Sequence, residues 1–68
     1  MTKMPLPLQA NETRKATRKD GQTVEQMWIA GGMFCYVVLR DAGGRLVWSH
    51  SYQFEVNATA KYAELVNA

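Results

Sequence analysis

The amino-acid sequence predicts an α+β fold: a small antiparallel β-meander of three or four strands, with one C-terminal helix packed on one face. Three observations carry that prediction. Leu46 to Val56 alternates, with Leu46, Trp48, His50, Tyr52, Phe54 and Val56 on one side and, after Val47, Ser49, Ser51, Gln53 and Glu55 on the other. A period of two marks a strand with one buried and one wet face. Turn sequences at Asp20-Gly21, Gly31-Gly32 and Asp41-Ala42-Gly43-Gly44 cut the preceding chain into strand-length pieces. Beyond Asn57, a fair N-cap, Ala58 to Asn67 reads as a short helix with Ala60, Tyr62, Ala63, Leu65 and Val66 along one broad side.

The earlier elements follow in order. Met1 to Asn11, with Pro5 and Pro7, is expected to be an extended or disordered arm outside a single domain at 12–68, with Leu6 and Leu8 free to tuck against it. A first hairpin pairs roughly 13–19 with 22–30 through Asp20-Gly21, a dipeptide suited to the positive φ angles of a two-residue turn. The segment 22–30 reads as a strand, although Val24, Met27, Trp28 and Gly31 also fit helical spacing and Thr23 with Gln26 resembles a capping box. Met33 to Arg40 is β-branched and aromatic on both faces, as a central strand should be.

Size and composition narrow the function. A chain of 68 residues is one domain at most, and a domain this small buries only about 60% of its unfolded surface. With one Cys and one His, it offers neither an intrachain disulfide nor the four ligands of a structural zinc site. Tight packing or self-association is left. An apolar share of 47% with two Trp, three Tyr and two Phe argues for a folded chain. The lone thiol and the lack of a signal-peptide pattern point to a cytoplasmic setting, and no run approaches the roughly 20 apolar residues of a membrane span.

The register then assigns two faces. With Arg40 facing Arg45, Leu39 pairs with Leu46, Val37 with Trp48, Cys35 with His50 and Met33 with Tyr52. A shift of two residues would change partners and keep the faces. Val24, Trp28, Met33, Cys35, Val37, Leu39, Leu46, Trp48, His50, Tyr52 and Phe54 form the core face, where the helix belongs. The other face holds Met27, Ile29, Phe34, Tyr36, Val38 and Val47, with Ser49 and Ser51 beside them and Arg40 and Arg45 at its rim. Pairing through Asp20-Gly21 adds Arg14 and Arg18 to it. One short helix cannot cover two faces, so this second face is expected to bind something.

No enzyme is expected. Cys35 beside His50 has the composition of a nucleophile and its base, but no Asn, Asp or Gln is placed to orient the imidazole. The glycine pairs lack the spacing and following Lys-Ser or Lys-Thr of a phosphate loop. The six carboxylates are scattered. No cofactor, metal site or small-molecule substrate is indicated.

The expected partner is a protein, either a second copy in a homodimer or a different chain, through Met27, Ile29, Phe34, Tyr36, Val38, Arg40 and Arg45. The alternative is a single-stranded nucleic acid bound by Phe34 and Tyr36 with the basic run Arg14, Lys15, Arg18 and Lys19. Phe34-Cys35-Tyr36-Val37 resembles the aromatic-small-aromatic-valine core of the RNP1 motif in RNA-recognition domains, without that motif's Lys/Arg-Gly lead. In size and style the chain also resembles the small orphan products of phages and other mobile elements. That resemblance implies action by binding and blocking a host machine, and it carries no residues across.

Overall fold

The computed structural model describes residues 5–29, 31 and 34–68. Four strands, β1 (Thr13–Thr17), β2 (Thr23–Trp28), β3 (Cys35–Arg40) and β4 (Leu46–Tyr52), precede one helix, α1 (Glu55–Val66). The strands form an antiparallel meander in the order β1-β2-β3-β4, and α1 packs on one face. This is the predicted α+β architecture, with strand and not helix at 23–28. The expected contributions of Ala30, Gly32 and Met33 lie outside the described residues.

The core forms between α1 and the side of the sheet that carries Val24, Cys35, Val37 and Leu39. From the helix come Ala58 and Tyr62, with Leu65 and Val66 partly buried at its end. Ala16, Trp28, Trp48 and Tyr52 close the cluster. Val24 and Val37 are completely buried. Three residues assigned to this core are not in it. Leu46 is 59% exposed, Phe54 is 60% exposed, and His50 is exposed on the edge strand.

Turn geometry accounts for Leu46. The third turn is a three-residue loop: Gly44 donates to the carbonyl of Asp41 at 2.9 Å, and Asp41 donates to the carbonyl of Arg45 at 2.9 Å. Gly44 takes a φ of 86°, as the last residue of such a loop requires. Leu46 therefore faces Arg40, while Leu39 faces Trp48, and a register shift separates the two pairs. Val47 is the extra residue of a β-bulge. Beyond it Val37 pairs with His50 and Cys35 with Tyr52, two residues from the expected register with the faces kept. Cys35 and His50 are therefore not cross-strand neighbours.

The first turn changes more. Arg18 donates to the carbonyl of Gln22 at 2.7 Å and Gly21 donates to that of Arg18 at 3.0 Å, which makes another three-residue loop, with Gly21 at a φ of 87°. A two-residue loop was expected. One added residue moves every β1 side chain to the other face. Arg14 pairs with Gln26 and Ala16 with Val24, so Arg14 lies on the helix side and not on the open face. Arg18, opposite Gln22, follows it there.

The helix begins three residues before the expected start. Phe54 stands at its N-cap without a side-chain hydrogen bond, and Asn57 lies inside the first turn. The strand predicted to run to Val56 stops at Tyr52. Tertiary contacts decide this boundary. Starting at Glu55 puts Glu55 and Thr59 one turn apart, and both join a polar cluster against the sheet.

Candidate interaction surface

The open face of the sheet is built from three cross-strand rows fixed by the register. Thr13, Met27, Tyr36 and Ser51 form one, and Lys15, Glu25, Val38 and Ser49 the next. Thr17, Thr23, Arg40 and Leu46 form the third. Among the described residues, no helix or strand lies over these rows. Tyr36 is 36% exposed. Val38 is nearly buried between its neighbours in the sheet, and Met27 is half-buried.

Ile29 directly follows β2 and Phe34 directly precedes β3, two residues beyond Met27 and Tyr36, and both are exposed. The apolar part of the face thus runs from Val38 through Met27 and Tyr36 to Ile29 and Phe34. At its other end Arg40 makes a 3.1 Å ion pair with Glu25 and donates from Nη1 to the carbonyl of Gly44 at 3.3 Å. Arg45 stands exposed in the adjoining turn, its backbone N–H held by the Asp41 carboxylate at 2.8 Å.

The four basic residues of the run at 14–19 do not act together. Arg14 enters a polar network beneath the helix. Its Nε donates to Gln26 Oε1 at 2.7 Å, one Nη to the Leu6 carbonyl at 2.7 Å, and the other to Thr59 Oγ1 at 3.2 Å. Its guanidinium also lies 5.1 Å from the Tyr62 ring centroid. Gln26, completely buried, donates to the same hydroxyl at 3.0 Å. Thr59 in turn donates to the Glu55 carboxylate, which also accepts the Leu8 N–H at 3.0 Å.

This network anchors the arm, and Leu8 is buried while Leu6 stays exposed. Arg18 is tied to Asp20 at 3.3 Å, and its Nε is buried without a partner. Only Lys15 and Lys19 of the run are left as exposed cations. Nothing in the sequence alone pointed to the network. Its members are separated by as many as 47 residues, and Gln26 carries no motif.

The chemistry of the remaining groups is quiet. Burial, reinforced by the Glu55 carboxylate, pushes the Cys35 thiol above its ordinary value, which keeps it protonated and poorly nucleophilic. His50 stacks on Trp48 with ring centroids 6.1 Å apart and meets Tyr52 edge-on at 4.7 Å. Among the described residues no three His, Cys, Asp or Glu side chains gather as metal ligands. No helix among them is long and apolar enough to cross a membrane. Comparison with protein-family models, with curated proteins and with solved structures returned no match.

Proposed function

We propose that this chain is a small non-catalytic binding protein that grips a protein partner through its open sheet face. The observation that carries the reading is the one-sided placement of α1. It leaves Ile29, Phe34 and Tyr36 exposed around Met27 and Val38, on a surface that a domain this small seldom leaves wet. Aromatic side chains rimmed by arginine are enriched at protein interfaces, here Phe34 and Tyr36 with Arg40 and Arg45. Binding and blocking a host machine is the mode that suits a module of this size. A cytoplasmic setting belongs to the same reading and is supported by the unpaired thiol of Cys35.

Single-stranded nucleic acid is the weaker reading, because Arg14 and Arg18 are engaged within the fold. The test is a pull-down from the native host with the parent chain and a Phe34→Ser/Tyr36→Ser variant, with the bound macromolecule identified. A protein retained by the parent and lost by the folded variant, with little response to salt, is the expected result. Equal retention by both chains would overturn the reading. Capture of nucleic acid, with affinity falling steeply as salt rises, would replace it with the alternative.

A further inference from the structure

We propose that β4 is the edge through which two copies of this chain join, antiparallel about a two-fold axis at His50, into one eight-stranded sheet. The proposal stands on the edge strand and does not depend on what the open face binds. Strand order puts β1 and β4 at the two edges. Edges with free N–H and C=O groups are templates for pairing, and chains that must stay separate guard them with charge or proline. The β1 edge is guarded by the exposed cation of Lys15, with that of Lys19 just beyond the strand. β4, Leu-Val-Trp-Ser-His-Ser-Tyr, contains no Lys, Arg, Asp, Glu or Pro.

The hydrogen-bond alternation of antiparallel strands fixes which groups of β4 are free. Trp28 donates to the Glu12 carbonyl at 3.0 Å and Arg18 to that of Gln22 at 2.7 Å, so the even-numbered residues of β2 face β1. Its odd-numbered residues then face β3, and the odd-numbered residues of β3 face β4. The bond from Asp41 to Arg45 agrees. Trp48, His50 and Tyr52, opposite Leu39, Val37 and Cys35, therefore spend their backbone groups on β3. Ser49 and Ser51 present theirs to solvent, on exposed residues.

The bulge selects the axis. From Trp48 onward the strand is regular, and Val47 interrupts it just before. An axis at His50 uses residues 48–52 alone. Ser49 of each copy then exchanges backbone hydrogen bonds with the partner's Ser51, Trp48 faces the partner's Tyr52, and the two imidazoles face each other. An axis at Ser49 would set the bulged Val47 against the partner's Ser51. At His50 both helices lie on one side, the rings of Trp48, His50 and Tyr52 meet their counterparts, and the open face runs unbroken across the axis. Lys61, whose ammonium lies 5.4 Å from the Trp48 ring centroid, is held by Glu64.

Sedimentation velocity of the purified chain over a wide concentration range tests this. The expected result is a twofold rise in mass with concentration, together with slowed amide exchange at Ser49 and Ser51. Ser51→Pro removes an outward N–H and leaves the β3 ladder intact, so a folded monomer is expected. His50→Lys sets two ammonium groups face to face on an exposed position, again giving a monomer, and provides the reading if the proline variant fails to fold. Tyr36→Glu on the open face is expected to remain dimeric. A parent chain that is monomeric at every concentration overturns the proposal. So does a dimer that survives both β4 variants, or one that only Tyr36→Glu dissociates, which would mean sheet-on-sheet packing.

Discussion

Thr59 shows how much of this small core rests on single polar atoms. Its hydroxyl donates to Glu55 and accepts from Gln26 and Arg14, which uses all the bonding capacity of the group. Thr59→Val keeps the shape and leaves the buried Gln26 amide without its acceptor, which should cost about 1–3 kcal/mol, read as a lower urea midpoint. Cys35 and Tyr62 set a pH dependence. Burial pushes the Tyr62 phenol up, with Arg14 pulling the other way, and burial with Glu55 pushes the Cys35 thiol up. Both groups bind their protons more tightly folded than unfolded. Their contribution is fully present below the ordinary thiol value of 9.0 and is lost as pH rises through the folded values. Urea midpoints should therefore fall on the alkaline side, and Cys35→Ala should remove part of that slope.

The elements were legible in the sequence as far as local pattern decides them. Alternation marked β4, and the glycine-bearing turns separated the strands. The rest was hidden because Asp-Gly serves two- and three-residue loops alike, and Asp-Ala-Gly-Gly three- and four-residue ones, and one residue of difference decides which faces Arg14 and Leu46 take. The bulge at Val47 left no mark either, since alternation of side chains says nothing about an unpaired residue. The helix start was misplaced for a different reason: Asn57 is the better local cap, and contacts of Glu55 with Leu8 and Thr59 override it. The loop geometry makes its own prediction. At Gly44 an added Cβ would touch nothing within 4 Å, so the cost of Gly44→Ala is conformational, about 1 kcal/mol for an L-residue at positive φ. Gly44→Asn should lose less, since Asn tolerates that region, and both can be read from denaturation midpoints.

At the scale of the whole molecule, the Cα atoms span 33 × 30 × 15 Å, a slab with room for one sheet and one helix layer. The candidate face was legible in outline for that reason: one short helix and two apolar sheet faces cannot match. Its electrostatics were not legible, because they depended on the β1 register. The slab also has an order of assembly. Each hairpin joins neighbouring strands through a short turn, whereas the bonds from Leu8 to Glu55 and from Arg14 to Thr59 close loops of 47 and 45 residues. Long loops close late when local pairing can proceed first. The polar network beneath α1 is then a latch and not a nucleus, so Thr59→Val should leave the refolding rate nearly unchanged and speed unfolding, seen in stopped-flow traces as a shift of the unfolding limb alone. In dilute solution the loss of that hydroxyl should therefore shorten the life of each folded molecule without delaying its formation.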